Sequence, residues 1–381
     1  MKKIKSFFKN ISLFFLHRLF CLFPLKKRVV FTSFGGKQYS CNPRAISESL
    51  TLLFPKVKQI WILNSKPRFQ IPNITIVTGK IRRIFYYATS KILVDNSILP
   101  PVFKRRKKQV YVETWHGDCS FKKIGMDSSI RFDKDSANMK YQFNYAITGS
   151  KFGEDYVFKK AIPFKGSLLK VGSPRNDILF KNDEPLKQTI KRELGIPENA
   201  GVLLYAPTFR DSHKANDTFD IGFDIKNILS SLELHDPSHR RWIALLRLHS
   251  AEKASFSSVF SETIIDATEY YDMANILYIS DFCITDYSSC AIDFVLGNKI
   301  SILYHFDKKH YAESDRELLF DDKELPFLIA NDEDDLKKIL SSIFYLNVKN
   351  YVDKIKTFYG IYDNGTASLS VANFIKKHLD E

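Results

Sequence analysis

Several large classes of function leave no trace in this sequence. Its five cysteines (Cys21, Cys41, Cys119, Cys283 and Cys290) form no CxxC pair, so the spacing suggests neither a zinc site nor a disulfide framework, and reduced thiols are expected. The apolar run Leu13–Leu16 is far too short to cross a bilayer. A signal peptide would want a longer apolar region and a small-residue cleavage site, and neither is present. Gly35-Gly36 is not part of a GxGxxG, so a dinucleotide fingerprint is absent. No repeat period or low-complexity tract is visible. Acidic residues are outnumbered, 43 against 57 basic ones, leaving a net charge of +14. That excess predicts an anionic partner, either a phosphorylated small molecule or an anionic membrane surface. Nucleic acid is the least expected of the anionic partners, because no helix-turn-helix, OB-type or RRM pattern accompanies the charge.

What remains is an ordinary globular composition, 44% hydrophobic and 26% charged over 381 residues, enough for two domains with a sizeable core each. Residues 1–28 stand apart. Ile4, Phe7, Phe8, Ile11 and Phe15 fall at helical spacing with Lys2, Lys5 and Lys9 largely off that stripe, the pattern of a basic amphipathic helix that lies in a membrane interface. From Val29 onward, apolar strands alternate with helical stretches, as in a parallel doubly wound α/β sheet. Strands are expected at 29–31, 59–63, 74–77, 92–94, 110–114 and 145–148, and again at 300–304, where a polar loop, 305–311, follows. A polar turn at 171–177 and a helix near 186–194 lie between, and the domain boundary is placed at 195/196. The run Lys104–Lys108 reads as a solvated loop or as an attractor for lipid phosphate.

The central stretch is Val110–Gly117. A buried strand runs out at His116, and Gly117 lets the backbone turn there. In an open α/β sheet that edge faces the ligand crevice, and histidine is the side chain best suited to taking a proton at neutral pH. The second half repeats one device three times. The strand 202–206 ends in Pro207-Thr208-Phe209-Arg210-Asp211. The strand 242–246 ends in Arg247-Leu248-His249. The strand 281–285 ends in Asp286-Tyr287-Ser288-Ser289, which opens a helix. Parallel strands place Thr208, Arg210, Arg247, His249, Ser288 and Ser289 on one edge, where two arginines and a helix start would suit a pyrophosphate. The acidic run Asn331–Asp335 reads as a helix start complementing the dipole rather than as a metal site. No clear metal set is legible, which leaves dependence on Mg²⁺ open.

Taken together, Thr114-Trp115-His116-Gly117 with Lys122-Lys123-Ile124-Gly125, Gly172-Ser173-Pro174-Arg175-Asn176-Asp177, Leu204 to Asp211, Leu246-Arg247-Leu248-His249 and Thr285-Asp286-Tyr287-Ser288-Ser289 resemble the CDP-glycerol glycerophosphotransferases that build wall teichoic acids and related polymers. The resemblance runs from about residue 29 to 375. It implies a GT-B-like architecture, two Rossmann-like domains facing a cleft, with the amphipathic segment ahead of them. The resulting division is 1–28 membrane-associating, 29–195 acceptor domain, 196–350 CDP-donor domain and 351–381 closing helices. It also implies a base at His116, donor phosphates held by His249, and donor contacts from Ser288 and Ser289. Thr208, Arg210, Arg247, Asp286, Gly172, Ser173, Arg175 and Asn176 complete the donor side, and Asp118 and Lys122 the acceptor side. The implied partners are CDP-glycerol or CDP-ribitol, an undecaprenyl-linked acceptor and the cytoplasmic face of the membrane. Many relatives have Thr-Pro-Leu-Lys where this chain has Asp118-Cys119-Ser120-Phe121, a departure on the acceptor side. The absence of long extra domains leans towards a compact primase or a capsule-type variant. Two rival readings stand beside this one: a GT-B glycosyltransferase using a nucleotide sugar, and a non-catalytic membrane-associated module that binds anionic lipid.

Overall fold

The computed structural model describes residues 12–67, 70–99, 103–129, 142–210, 221–248 and 259–381. The chain divides into two compact units. The first comprises residues 1–118, 133–177 and 362–381, and the second 119–132 and 178–361.

The first unit is built on seven strands: β1 (Lys26–Phe31), β2 (Gln59–Ile62), β3 (Ile74–Val77), β4 (Ser90–Asp95), β5 (Val110–Glu113), β6 (Tyr145–Thr148) and β7 (Ser167–Lys170). They form one sheet in the order β3-β2-β1-β4-β5-β6-β7, parallel at every pairing. The order reverses between β1 and β4, the switch point at which such sheets bind ligands. Val29, Phe31, Trp61, Ile92, Val94 and Val112 pack into a core that takes in Val371, Ala372 and Ile375 from the last helix, Ala367–Asp380. That helix starts on Asp177, whose carboxylate accepts from the N–H groups of Ala367 (3.0 Å) and Ser368 (2.7 Å), satisfying groups a helix start leaves open.

The second unit carries β8 (Gly201–Tyr205), β9 (Trp242–Leu246), β10 (Ile264–Asp266), β11 (Phe282–Thr285), β12 (Ile300–Tyr304) and β13 (Leu328–Ala330). Their order is β10-β9-β8-β11-β12-β13, again all parallel. Alternate residues of β8 serve opposite faces. Leu203 and Tyr205 join one core, Val202 and Leu204 the other, as a sheet covered on both sides requires.

The strands expected from periodicity are present, and β7, β10 and β13 are additional. All three are short edge strands with partly exposed residues, so little apolar alternation marks them. The domain division also differs from 195/196. The first crossing into the second unit lies after Asp118 and the later one after Asp177, because the helix Glu184–Glu193 buries Ile190 in the second unit's core. The carboxyl terminus does not close onto one domain. Helix Val348–Tyr359 belongs to the second unit, and Ala367–Asp380 returns to the first. The acidic run behaves as read, with Asp332 capping helix Glu333–Ser342 by accepting from Asp335 N–H at 2.8 Å.

Of the expected amphipathic segment, residues 1–11 lie outside the described residues, and 12–20 are helical. Phe15, Leu19, Leu22 and Phe23 are exposed there. No described helix is long and apolar enough to cross a membrane.

Candidate active site

In the first unit the candidate residues sit at the carboxyl ends of β4 and β5. Trp115 takes a left-handed conformation (φ 50°) and Gly117 a positive φ of 149°, which turns the chain and leaves His116 exposed between them. Trp115 stacks on the imidazole with centroids 4.7 Å apart, and Phe34 meets it edge-on at 5.7 Å. Nδ1 of His116 lies 2.7 Å from the backbone carbonyl of Asn96. A carbonyl can only accept, so Nδ1 carries the proton and Nε2 keeps its lone pair. Asn96 is itself fully buried. Its Oδ1 accepts from Phe34 N–H at 2.7 Å, and its amide donates to Ser33 Oγ at 3.2 Å. Partial removal of the ring from water between Trp115 and Phe34 lowers the pKa. The Asn96 carbonyl opposes the shift, and the charge of Arg175 adds to it. The neutral form is favoured, and in it Nε2 is the acceptor nitrogen.

The turn Gly172–Asn176 lies against this strand end. Arg175 donates from Nη1 to the His116 carbonyl and to Cys41 Sγ (3.7 Å), and its backbone N–H donates to Asn42 Oδ1 at 3.0 Å. Asn42 in turn donates to the carbonyls of Thr114 and Trp115, both at 3.0 Å. Of the turn's expected donor ligands, Gly172, Ser173 and Asn176 are buried. Ser173 N–H is held by Asp363 Oδ1 at 2.7 Å, and Gly172 has φ 96° with Asp363 packed against it. These three shape the turn, and Arg175 alone of the group keeps part of its surface exposed.

Asp118, expected on the acceptor side, also has a structural role within the first unit. It is buried, and its Oδ2 accepts from Thr148 Oγ1 (2.6 Å), Gly149 N–H (2.6 Å) and Ser150 Oγ (3.3 Å). It ties the loop after β5 to the end of β6. Oδ2 is filled by these three internal donors.

In the second unit, Arg210 is only 1% exposed. Its guanidinium pairs with Asp286 (Nη2–Oδ2 2.7 Å) and Asp307 (Nε–Oδ2 2.8 Å) and donates to the Thr208 carbonyl. It lies over the rings of Tyr311 and Tyr287, at 4.8 and 5.4 Å, and these stack on each other at 4.0 Å. Asp286 also accepts from Thr208 N–H (2.8 Å), Thr208 Oγ1 (2.6 Å) and Tyr287 N–H (2.6 Å). Arg210, Thr208 and Asp286 thus knit the ends of β8 and β11 together, with the charge of Arg210 shared between two carboxylates. Arg247 commits Nη1 to the carbonyls of Ala267, Thr268 and Tyr270 at 2.5, 2.7 and 2.6 Å.

Ser288 and Ser289 are half-buried at the start of helix Cys290–Val295. Ser289 occupies the N-cap position without capping through its side chain. The N–H groups of Ala291 and Ile292 are not free for phosphate, since they donate to the carbonyls of Ser288 and Ser289. Lys122 reaches Tyr311 Oη at 3.3 Å within the second unit. His249 lies outside the described residues.

The structure adds residues that the pattern did not single out. Asn42 and Asn96 hold the His116 turn, while Asp307, Tyr287 and Tyr311 surround Arg210. Asp307 was visible only as part of a polar loop after β12, with nothing to pair it with Arg210. Among the described residues, no group of three or more His, Cys, Asp or Glu is placed to hold a metal ion.

Two all-parallel Rossmann-like sheets make this a two-domain α/β protein of the GT-B-like class. The wall teichoic acid polymerase TagF has this fold: its structure superposes with a TM-score of 0.85 at 26% identity, covering 100% of this chain and 97% of that one. The chain belongs to the CDP-glycerol:poly(glycerophosphate) glycerophosphotransferase family, whose model matches residues 14–377. Among curated relatives, the teichoic acid poly(glycerol phosphate) polymerase of Bacillus subtilis is 30% identical over 93% of this chain, which spans about half (49%) of that protein's length. The teichoic acid glycerol-phosphate transferase of Staphylococcus aureus is 28% identical over 98% of this chain and 100% of its own.

Proposed function

We propose that the protein transfers glycerol phosphate from CDP-glycerol to a hydroxyl of a lipid-linked saccharide or of a growing polyol-phosphate chain. The observation that carries this reading is the His116 imidazole, pinned through Nδ1–H to the Asn96 carbonyl with Nε2 left as an acceptor. Nε2 takes the proton of the acceptor hydroxyl as its oxygen attacks the glycerol-bearing phosphorus. The bond from that phosphorus to the bridging oxygen breaks, and CMP leaves with the electron pair. General-base catalysis of this kind contributes roughly 10²–10⁴-fold. The family supports the donor, and the relatives' names support a teichoic acid product. Arg175, Arg247, Ser288, Ser289 and His249 remain the proposed donor-side residues.

The same reading places the protein peripherally on the cytoplasmic face of a bacterial membrane. Phe15, Leu19, Leu22 and Phe23 are exposed, and Arg106 Nη1 donates to the Phe23 carbonyl at 2.8 Å. That bond ties the apolar stretch to the basic run, in which Lys104, Lys107 and Lys108 stay exposed. Apolar side chains beside lysines are the combination that an anionic lipid surface attracts.

Incubation with CDP-glycerol, CDP-ribitol and UDP-sugars, each with a lipid-linked acceptor analogue, tests the function. CMP release with CDP-glycerol and a product heavier by one or more glycerol phosphates is expected. Release of UDP alone identifies a glycosyltransferase, CMP release from CDP-ribitol alone changes the polyol, and no turnover with any donor leaves a binding module.

A further inference from the structure

Besides the imidazole, the His116 site contains a carboxyl group that the reaction as written does not use. Glu113 ends β5 with no exposed surface. Its Oε1 accepts from Trp115 N–H at 2.9 Å, and its Oε2 accepts from Ile98 N–H at 3.1 Å and from Tyr111 O–H at 3.4 Å. Tyr111 Oη in turn accepts from Leu99 N–H at 2.9 Å. Trp115 and Ile98 both hold left-handed backbone conformations, with φ of 50° and 57°. Neither is glycine, and for a β-branched residue such as Ile98 this is a genuine outlier that persists only when the surroundings over-determine it.

The two strained residues flank His116's environment on either side. Trp115 precedes the histidine and stacks on its ring. Ile98 lies two residues beyond Asn96, the residue whose carbonyl receives Nδ1–H. One carboxyl group thus grips both the loop that carries the imidazole and the loop that selects its tautomer.

We propose that Glu113 is the positioning residue of this site: by holding the N–H groups of Trp115 and Ile98 it fixes the His116 ring against the Asn96 carbonyl and keeps the lone pair on Nε2. The proposal rests on the reading of His116 as the base, and it deepens that reading. Asp95 supports the same loop, with Oδ1 accepting from Asn96 N–H at 2.8 Å. It lies opposite Glu113 in the register of β4 and β5. Burial raises the pKa of both acids, and Asp95 raises that of Glu113 further, so the pair carries less than its full negative charge at neutral pH.

Glu113→Gln keeps the size of the side chain but turns an amide N–H₂ towards one of the two backbone donors. In the full chain we expect kcat to fall on the order of 10- to 100-fold, the cost of a small misplacement of a reacting group, with KM for CDP-glycerol unchanged within about twofold. The same substitution in a His116→Ala background is expected to cost less than about threefold, because residues that act through one another are not additive. The ¹⁵N shifts of the His116 ring report the tautomer without any substrate. The wild type is expected to show a protonated Nδ1 and bare Nε2, and Glu113→Gln a mixture. An unchanged tautomer with full turnover, or an equal loss in both backgrounds, overturns the proposal. Should Glu113→Gln not fold, Tyr111→Phe removes one hydroxyl from the same network and is read in the same way, with a smaller loss expected. If the wild type turns over no CDP-glycerol, the proposed function fails, and the ring spectrum alone still decides whether Glu113 sets the tautomer.

Discussion

Both units place polar groups at the carboxyl ends of their strands, at β4 and β5 in the first and at β8 and β11 in the second, and use them in opposite ways. At the end of β5, backbone strain and buried acids surround an imidazole pinned through Nδ1 to the Asn96 carbonyl. At the ends of β8 and β11, the most prominent cation, Arg210, is closed off by Asp286 and Asp307. The first arrangement fixes the orientation of one ring; the second holds strands together. An arginine at a strand end is therefore no evidence of a phosphate ligand until its carboxylate partners are known.

The largest test of that contrast is Arg210→Met. It leaves Asp286 and Asp307 facing each other without their cation, and breaking a buried pair in this way costs roughly 3–5 kcal/mol. Urea unfolding should show that loss. A fully stable variant with weakened CDP-glycerol binding would instead restore Arg210 to the donor site. Arg210→Lys should recover little, since an ammonium cannot reproduce the two-carboxylate fork.

A smaller effect is expected at Lys299, whose Nζ donates to the carbonyls of Leu277, Tyr278 and Ser280 at 3.1, 2.7 and 2.6 Å at the end of helix Met273–Ile279. Lys299→Met strands those acceptors and should cost about 1–2 kcal/mol, read from the same unfolding curves.

The pH dependence of stability sharpens the comparison further. Burial raises Asp95 to about 7 from 3.8, so between those values the folded state holds a proton that the unfolded state has released. Stability should fall as pH rises through that window, and Asp95→Asn should flatten the slope. Lys299 moves the other way. Burial lowers it to about 8 from 10.5, the unfolded chain binds the extra proton, and stability should rise with pH across that interval. Denaturant midpoints measured from pH 4 to pH 10, about one unit apart, compare the two directly. The slightest expected effect is on the acid limb of kcat/KM. The lowered pKa of His116 should place its midpoint below 6.5, the free imidazole value.

Much of this molecule was legible in the sequence, for reasons that also explain what was hidden. Strands such as Val110–Glu113 and Trp242–Leu246 are buried on both faces, and their apolar runs announce them. β7 alternates only weakly because its ends are exposed. His116 stood out because a polar residue followed by glycine closes an apolar run. The function of Glu113 did not, since within the run it looks like one more polar position and its partners are backbone N–H groups. The pairing of Arg210 was hidden because Asp307 is 97 residues away in the chain. The crossing at Asp177 depends on where helix Glu184–Glu193 packs, a tertiary fact with no local signal.

The central claim concerns one nitrogen of one ring. CDP-glycerol binding and single-turnover CMP release, measured side by side for the wild type and His116→Ala, test it most directly. Binding should be nearly unchanged while release slows by roughly 10²–10⁴-fold. Equal losses of binding and release, or release at the wild-type rate, would contradict the account.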